Sequence, residues 1–462
     1  MILKSKLFKV SAWAPLLFFI ICLTLDCNDQ LATKKSTALL HWDAAGYYAY
    51  LPAFFIYKDA SFGFHNLVAG FSNDQFLKKD DTLRINKYAA GPALLMTPFF
   101  LAAHAYALMS DDWIADGYSA PYRQAILIGS AFYAALGLFF ISLVLQRWFP
   151  DYVTALTLVV LGFGTNLFYY STYESMMSHV FSFFLFGLII WLSARWKENF
   201  DTRFLFLLAL SGGLVAATRL TNVVILIVPA LWGVQNFADL KIHFKKLFAS
   251  PASVFVCILL FILPSLPHLF YIKSQTGSFF FDTYRGENFF WSDPLFFKVL
   301  FSYRKGWLVW SPLILLGFIG WIFGRKHPAF WAVLIFTAVN LYIVSSWWCW
   351  WYGGSFGMRA LIEASVPMSI GIAFCIQAIC KRKAGSYIFA VIFPWFIALN
   401  FLQTHQYAKG IIHYDAMSEK AYWEVFGVIH PAPAKIMDRR NQYLNYINCE
   451  NAMGEKTCRR QL

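Results

Sequence analysis

Runs of about twenty apolar residues recur along this chain, and they decide its solvent. A helix rises about 1.5 Å per residue, so such a run crosses ~30 Å of hydrocarbon. Clear runs cover 8–25, 124–145, 152–170, 177–194, 251–272, 306–323, 328–346, 361–379 and 386–403. The stretch 204–236 is long enough for two short helices, broken at Thr218-Arg219-Leu220-Thr221-Asn222. Together these predict eleven spans in an all-α polytopic membrane protein. Composition agrees. The chain is 59% hydrophobic and 14% charged, where a soluble domain carries about 25% charged residues. A water-soluble enzyme and a disordered chain are both excluded.

The net charge of +13 reads first as topology, not as nucleic-acid binding. Lys4, Lys6 and Lys9 favour a cytoplasmic start. One set of connecting loops holds Arg147, Arg195, Lys197, Arg203, Lys241, Lys245, Lys246, Arg325, Lys326, Lys381, Arg382 and Lys383. The opposite set holds Arg219, Lys273, Arg285, Lys298, Arg304, Lys305 and Arg359. Placing the basic set with the N-terminus requires the apolar segment 90–109, which contains Gly91, Pro92, Pro98 and His104, not to cross. It is then expected as a re-entrant or interfacial helix. Residues 26–122 become one outer region, with a second interfacial helix over 44–58, and further outer loops follow at 273–305 and 347–360. Residues 404–462 form an outer, periplasmic tail after the membrane domain 1–403. A twelve-span reading, with 90–109 crossing, is the alternative. The expected location is the inner membrane of a bacterium.

Cysteine use is uninformative. Cys22, Cys27, Cys257, Cys349, Cys375 and Cys380 lie in or beside apolar segments without metal-ligand spacing. Cys449 and Cys458 in the tail are available to pair if the tail is outside. Leu23-Thr24-Leu25-Asp26 lacks the small residues of a cleavage site, so the first apolar segment reads as a retained helix.

With this topology the unusual residues gather on the outer side. A helix after Asp43 places Tyr47, Tyr50, Phe54 and Tyr57 on one face and Tyr48, Leu51 and Phe55 on the next. Such a helix lies in the interface with its rings at headgroup depth. Asp43 stands at its start, where the dipole favours a carboxylate; a simple N-cap is the plainer reading. Glu174 and His179 flank the next outer turn, with a satisfied core histidine as the plainer reading of His179. Arg219 is isolated among apolar residues, so it should pair, line water or sit at the membrane surface.

The later loops hold Tyr284-Arg285-Gly286-Glu287 and Tyr303-Arg304-Lys305-Gly306-Trp307. An adjacent guanidinium and ammonium suit an anionic headgroup; snorkelling cations are the alternative. Trp347-Trp348-Cys349-Trp350-Trp351-Tyr352 suits stacking on a sugar ring, with an aromatic belt as the alternative. Arg359 follows. No G-x-x-x-x-G-K, C-x-x-C, H-E-x-x-H or D-x-D occurs. The last absence argues against a metal-bound nucleotide donor.

The order of these parts resembles the GT-C superfamily of membrane glycosyltransferases, in particular the family 39 protein-mannosyltransferase-like branch. Asp43 follows the first span. Asn86-Lys87-Tyr88-Ala89-Ala90-Gly91-Pro92 places a basic residue before a Gly/Pro-containing apolar helix, and Arg123 opens the next span. A polar turn, Glu174 to His179, comes two spans later, and a long loop precedes the eighth span. The runs Tyr284–Trp307 and Trp347–Glu363 look like a bacterial subgroup of such proteins.

The resemblance implies an inverting transfer of a sugar from a polyprenyl phosphate to an acceptor hydroxyl. Asp43 takes the role of general base. Lys87 binds the donor phosphate, with Arg304 and Lys305 as further candidates. Tyr47, Glu174, His179, Tyr284, Arg285, Glu287, Trp347, Trp351, Tyr352 and Arg359 are the candidates for sugar and acceptor binding. No metal or other cofactor is expected. The partners are a lipid-linked donor and a glycan, lipid or protein acceptor. Ala44 follows Asp43 where the family often has a second acid, leaving a single base. Tyr88-Ala89 stands where Pro-Pro is common. Two other classes fit the composition: a transporter or flippase of a lipid-linked sugar, and a non-catalytic lipid-sugar-binding subunit.

Overall fold

Proline and glycine punctuate the apolar runs, and the helices begin and end where they stand. Pro92 and Pro251 sit in first turns, where a missing N–H costs nothing. Gly277 ends a helix in the left-handed region at φ +81°. The computed structural model describes residues 9–32, 42–64, 76–78, 84–284 and 287–446. Lys4, Lys6, Arg285, Cys449 and Cys458 lie outside them.

The helices run in this order. First come α1 (Val10–Ala32), α2 (Trp42–Pro52), α3 (Gly91–Leu108), α4 (Ala120–Leu145) and α5 (Asp151–Phe163). Next are α6 (Leu167–Thr172), α7 (Ser178–Asn199), α8 (Thr202–Thr218), α9 (Ile227–Leu231) and α10 (Phe237–Leu247). Then follow α11 (Pro251–Ile262), α12 (Leu266–Thr276), α13 (Phe296–Phe301), α14 (Trp307–Trp310) and α15 (Leu315–Gly320). The last are α16 (Phe330–Ser346), α17 (Ser365–Cys380), α18 (Lys383–Ala408), α19 (Glu419–Val425) and α20 (Ala434–Gln442). Two short strands, β1 (Phe76–Lys78) and β2 (Arg84–Asn86), pair antiparallel with Phe76 opposite Asn86. The sequence reading did not anticipate them.

Five described helical stretches are long and apolar enough to cross a membrane: α3, α4, α7, the continuous run Pro251–Thr276, and α18. Six shorter apolar helical stretches accompany them. The apolar helix expected over 90–109 is present as α3, whose 18 residues rise about 27 Å. Its length puts it in the same class as the other long helices, so both the eleven- and twelve-span counts stand. The run 306–323 is not one helix. Pro312 forces Ser311 to φ −139°, because the proline ring excludes the α region for the residue before it. The result is α14, a 3-10 turn and α15. The break expected at Thr218–Asn222 is present: α8 stops, Arg219 is extended, and a 3-10 turn follows.

The chain folds as two compact units. The larger part of the N-terminal half, Leu16–Phe140 with Tyr170–Arg285, makes one. Its centre is α7, 83% buried over its apolar window. Gly137 of α4 and Gly187 of α7 meet backbone to backbone; a Cβ on Gly187 would stand 2.8 Å from the Gly137 carbonyl. Small residues at such crossings are how helices approach without a hydrophobic drive between them. The run Pro251–Thr276 is only 6% buried, and Phe255, Ile258, Leu259 and Ile262 point outward. An apolar face of that extent has lipid as its partner.

The second unit comprises Met1–Pro15, Ile141–Tyr169 and Gly286–Leu462. Here α17 is the buried helix, packed on α15 and α5. Gly317 and Gly320 face Gly371 so closely that a Cβ on any of them would strike backbone or the side chains beside it. The outer helix is α18, again 6% buried, with Tyr387, Ile388, Val391 and Trp395 exposed. The described part of the tail carries α19 and α20 and packs within this unit.

Candidate functional site

The first unit contains the more informative constellation. Asp43 stands in the first turn of α2, half-buried, where the helix dipole favours its charge. The Tyr88 hydroxyl donates to Asp43 Oδ1 at 2.6 Å. Burial, and then the adjacent Asp43 charge, push the Tyr88 phenol far above the ordinary tyrosine range. Tyr88 is therefore a permanent donor to the carboxylate.

The chain holds Tyr88 in place from several directions. Leaving β2, Asn86 donates from Nδ2 to the Gly46 carbonyl at 2.7 Å and accepts the Tyr88 N–H at 3.1 Å. The Asn86 N–H donates to the Tyr271 hydroxyl at 2.7 Å. The Tyr50 hydroxyl donates to the Tyr88 carbonyl at 2.6 Å. The Tyr88 ring packs directly on Gly46, where a Cβ would overlap it. Tyr47 meets the same ring edge-on at 5.2 Å. The Lys87 ammonium lies 5.2 Å above the ring centre, and Tyr284 is close enough to act on the Tyr88 hydroxyl electrostatically. Four expected residues, Asp43, Tyr47, Lys87 and Tyr284, are thus gathered around Tyr88, Asn86 and Gly46, which sequence reasoning had not selected.

This geometry corrects one expectation about α2. Its rings are not a membrane-facing stripe. Tyr47, Tyr48 and Leu51 are buried, and only Phe54 is strongly exposed, at 69%. The hydroxyls explain it: Tyr48 donates to Gly117 O, Tyr50 to Tyr88 O and Tyr57 to Asp116 O. Phenols with protein acceptors are stable inside a unit.

Elsewhere in this unit His179 is buried. The Arg219 guanidinium faces its ring, 3.2 Å from Nε2, and Arg219 Nε reaches Thr221 at 3.3 Å. Arg219 is therefore paired, as its apolar surroundings require. Glu174 lies in the turn before α7, half-buried. Gly91, at the start of α3, packs directly on the Ala217–Thr218 backbone. This brings the segment carrying Arg219 beside the helix that follows Lys87.

The second unit reassigns two candidates. Arg304 is 3% exposed. It donates to Asp415 Oδ2 at 2.9 Å and to the Asn445 carbonyl at 3.3 Å. Its guanidinium also stacks 4.8 Å from the Trp351 ring. Lys305 is enclosed and donates to the carbonyls of Ser355 and Tyr414. Burial lowers the Arg304 pKa, and Asp415 opposes that. A buried cation needs such compensation. Both side chains therefore tie loops to the tail; their geometry is not that of an open phosphate site.

The tryptophan wall divides in the same way. Trp350 and Trp351 are buried, and Trp351 donates to Asp415 Oδ1 at 2.7 Å. Trp348 donates to Glu287 at 2.9 Å. Trp347 packs on Phe289 at 4.7 Å. Tyr352 is half-buried with φ +59°, and Arg359 opens a 3-10 turn. Asp415, which organises this cluster, had no local signal beyond its charge.

No protein-family model matches the sequence, and no curated protein matches it either. Solved structures do match. The archaeal oligosaccharyltransferase AglB from Archaeoglobus fulgidus, in complex with an inhibitory peptide and a dolichol-phosphate, aligns over 96% of this chain. The TM-score is 0.51 and the identity 11%. An Archaeoglobus fulgidus oligosaccharyltransferase in the apo form aligns over 96% at a TM-score of 0.48 and 11% identity. This chain spans about 60% of the length of these structures. A likeness at this identity is one of fold alone, and over nearly its whole length this chain shares the fold of that part of the archaeal oligosaccharyltransferase AglB.

Proposed function

We propose that the protein is an inverting glycosyltransferase. It moves a sugar from a polyprenyl-phosphate donor to an acceptor hydroxyl at the outer face of a bacterial inner membrane. The observation that carries this reading is the Asp43 carboxylate at a helix N-terminus, hydrogen-bonded by a buried tyrosine and neighboured by Lys87. The fold shared with an oligosaccharyltransferase solved with a dolichol-phosphate supports it.

Asp43 takes the proton from the acceptor hydroxyl as its oxygen attacks the anomeric carbon. The bond from that carbon to the donor phosphate oxygen breaks, and the electron pair leaves with the phosphate. The Lys87 ammonium stabilises the charge that develops there. The reaction asks for no metal. Arg304 and Lys305 hold the tail in this scheme and leave the donor to Lys87. Tyr47 and Tyr284, which lie near Tyr88, are the candidates for meeting the sugar and the acceptor.

General-base catalysis supplies roughly 10²–10⁴ in rate. Asp43→Asn in a deletion background, at wild-type protein levels, should therefore lose the glycan product. The readout is comparative mass spectrometry of envelope glycans and glycoproteins from the deletion, wild-type and variant strains. Full product from Asp43→Asn would remove Asp43 as base. Uptake or flipping of a lipid-linked sugar in liposomes, without transfer, would replace the whole reading by a transport function.

A further inference from the structure

We infer that Tyr88 is the positioning residue of the Asp43 carboxylate, orienting it for catalysis through its hydroxyl and lowering its affinity for protons. This deepens the reading of Asp43 as general base and rests on it.

Much structure is devoted to one phenol. Tyr88 is buried to 6% exposure, yet its hydroxyl meets a half-buried carboxylate at 2.6 Å. That is the short distance of a charge-assisted O–H···O⁻ bond. The main chain of Tyr88 is fixed on both sides, its N–H by Asn86 Oδ1 and its carbonyl by the Tyr50 hydroxyl. Asn86 is in turn tied to the Gly46 carbonyl, one turn after Asp43 on the same helix. The ring has the Gly46 surface beneath it and Tyr47 against its edge. Donor and acceptor are thus locked to one another through α2 itself.

The chemical consequence follows from the direction of the bond. A donor to the charged form of a carboxylate holds that form down in pKa. A carboxylate accepts in about four directions, so one bond from Tyr88 does not exhaust it. Removing the hydroxyl while keeping the ring should raise the Asp43 pKa and loosen the carboxylate plane. Among the described residues, several other titratable groups surround this pair. Lys87 lies over the Tyr88 ring. Tyr47 and Tyr284 act on the Tyr88 hydroxyl. Tyr50 reaches its carbonyl and contacts His268 at 3.4 Å, and Tyr271 accepts from Asn86. None of these changes in Tyr88→Phe.

The experiment is an infrared pH titration of purified full-length protein in detergent. It compares wild type, Tyr88→Phe, Asp43→Asn and the double variant. The Asp43 carboxyl band is assigned by subtracting the Asp43→Asn spectrum. Hydrogen bonds to charged groups correspond to about one pH unit or somewhat more. The Asp43 midpoint should therefore rise by about one unit in Tyr88→Phe, and no such band should titrate in the double variant. Envelope glycan mass spectrometry of the same strains should show product formation reduced about tenfold or more in Tyr88→Phe, with the acid limb of the pH profile displaced by the same unit. An unmoved midpoint overturns the inference while leaving Asp43 as base, provided Asp43→Asn is inactive. A moved midpoint with a fully active Asp43→Asn overturns the base and its positioning together. Tyr88→Leu, which is smaller and carries no side-chain donor, is the second variant should Tyr88→Phe misfold. An unmoved midpoint there counts equally against the inference.

Discussion

A methyl group at Gly46 is the most demanding test of the Asp43 site. Gly46→Ala places a Cβ 2.8 Å from Tyr88 Cε2 and 3.0 Å from Cγ, with Cδ2 closer still, whereas ordinary contact begins near 3.4 Å. The ring must move by about 1 Å or more to restore normal contact. Its backbone is held at N–H and carbonyl, so the movement falls on the side chain and is largest at the hydroxyl. A bond of 2.6 Å then stretches to about 3.6 Å, past the limit of a hydrogen bond. Losing a bond to a charged group costs about 1.5–3 kcal/mol, and each 1.36 kcal/mol is tenfold in rate. Product formation in membranes of the complemented deletion strain should fall about 10- to 100-fold.

The fold should survive this change. Alanine favours the helix by about 1 kcal/mol over glycine, against an overpacking cost of about 1–3 kcal/mol. The thermal midpoint in detergent should therefore move little. The double variant with Tyr88→Phe should be no slower than the slower single variant, because both remove the same bond. Wild-type rates from Gly46→Ala, or losses that multiply in the double variant, would refute the reasoning.

Two further outcomes concern the tail. Arg304→Met and Asp415→Asn should each lower the stability of the second unit by about 3–5 kcal/mol, because each leaves a buried charge or its partner uncompensated. The pair together should cost clearly less than the sum, read as thermal midpoints in detergent. The third concerns pH. His413 Nδ1 accepts the N–H groups of Asp415 and Ala416 at 3.1 and 3.0 Å, and burial, then Arg440, lower its pKa. The folded tail therefore needs the neutral ring. Its contribution is fully present above the ordinary histidine pKa near 6.5 and is lost as pH falls below it. Hydrogen-exchange protection factors over 410–446, taken relative to the intrinsic exchange rate at each pH, should fall between pH 7.5 and 5.5 in wild type, and this fall should be absent in His413→Gln.

Local periodicity carried much of the fold. Most of the apolar runs became helices, the run 306–323 being broken at Pro312, and the break at Arg219 and the start of α2 beside Asp43 fell where the residues placed them. What local reading missed has one cause: partners far apart in the chain. Tyr88 meets Asp43 across 45 residues. The only local hints were a glycine three places after the acid and a tyrosine beside the lysine. Arg304 and Lys305 read as a headgroup site because their neighbours in sequence are rings. Their acceptors lie 50 to 141 residues further on, at Ser355, Tyr414, Asp415 and Asn445. The tyrosines of α2 read as an interface stripe because helical spacing reports that a face is aromatic. It does not report whether each hydroxyl will find a carbonyl.

Those same separations set an order of events during synthesis. Arg304 leaves the ribosome 111 residues ahead of Asp415. At about 5–20 residues per second, that is a wait of roughly 5–20 s. Through that interval α16, α17 and α18 are made while the Arg304 guanidinium stands without its carboxylate. The loop at 302–305 therefore locks last, after the long helix α18 has been completed. The tail works as a closing latch, and the second unit reaches its final packing only when nearly all of its apolar surface has already been delivered to the membrane.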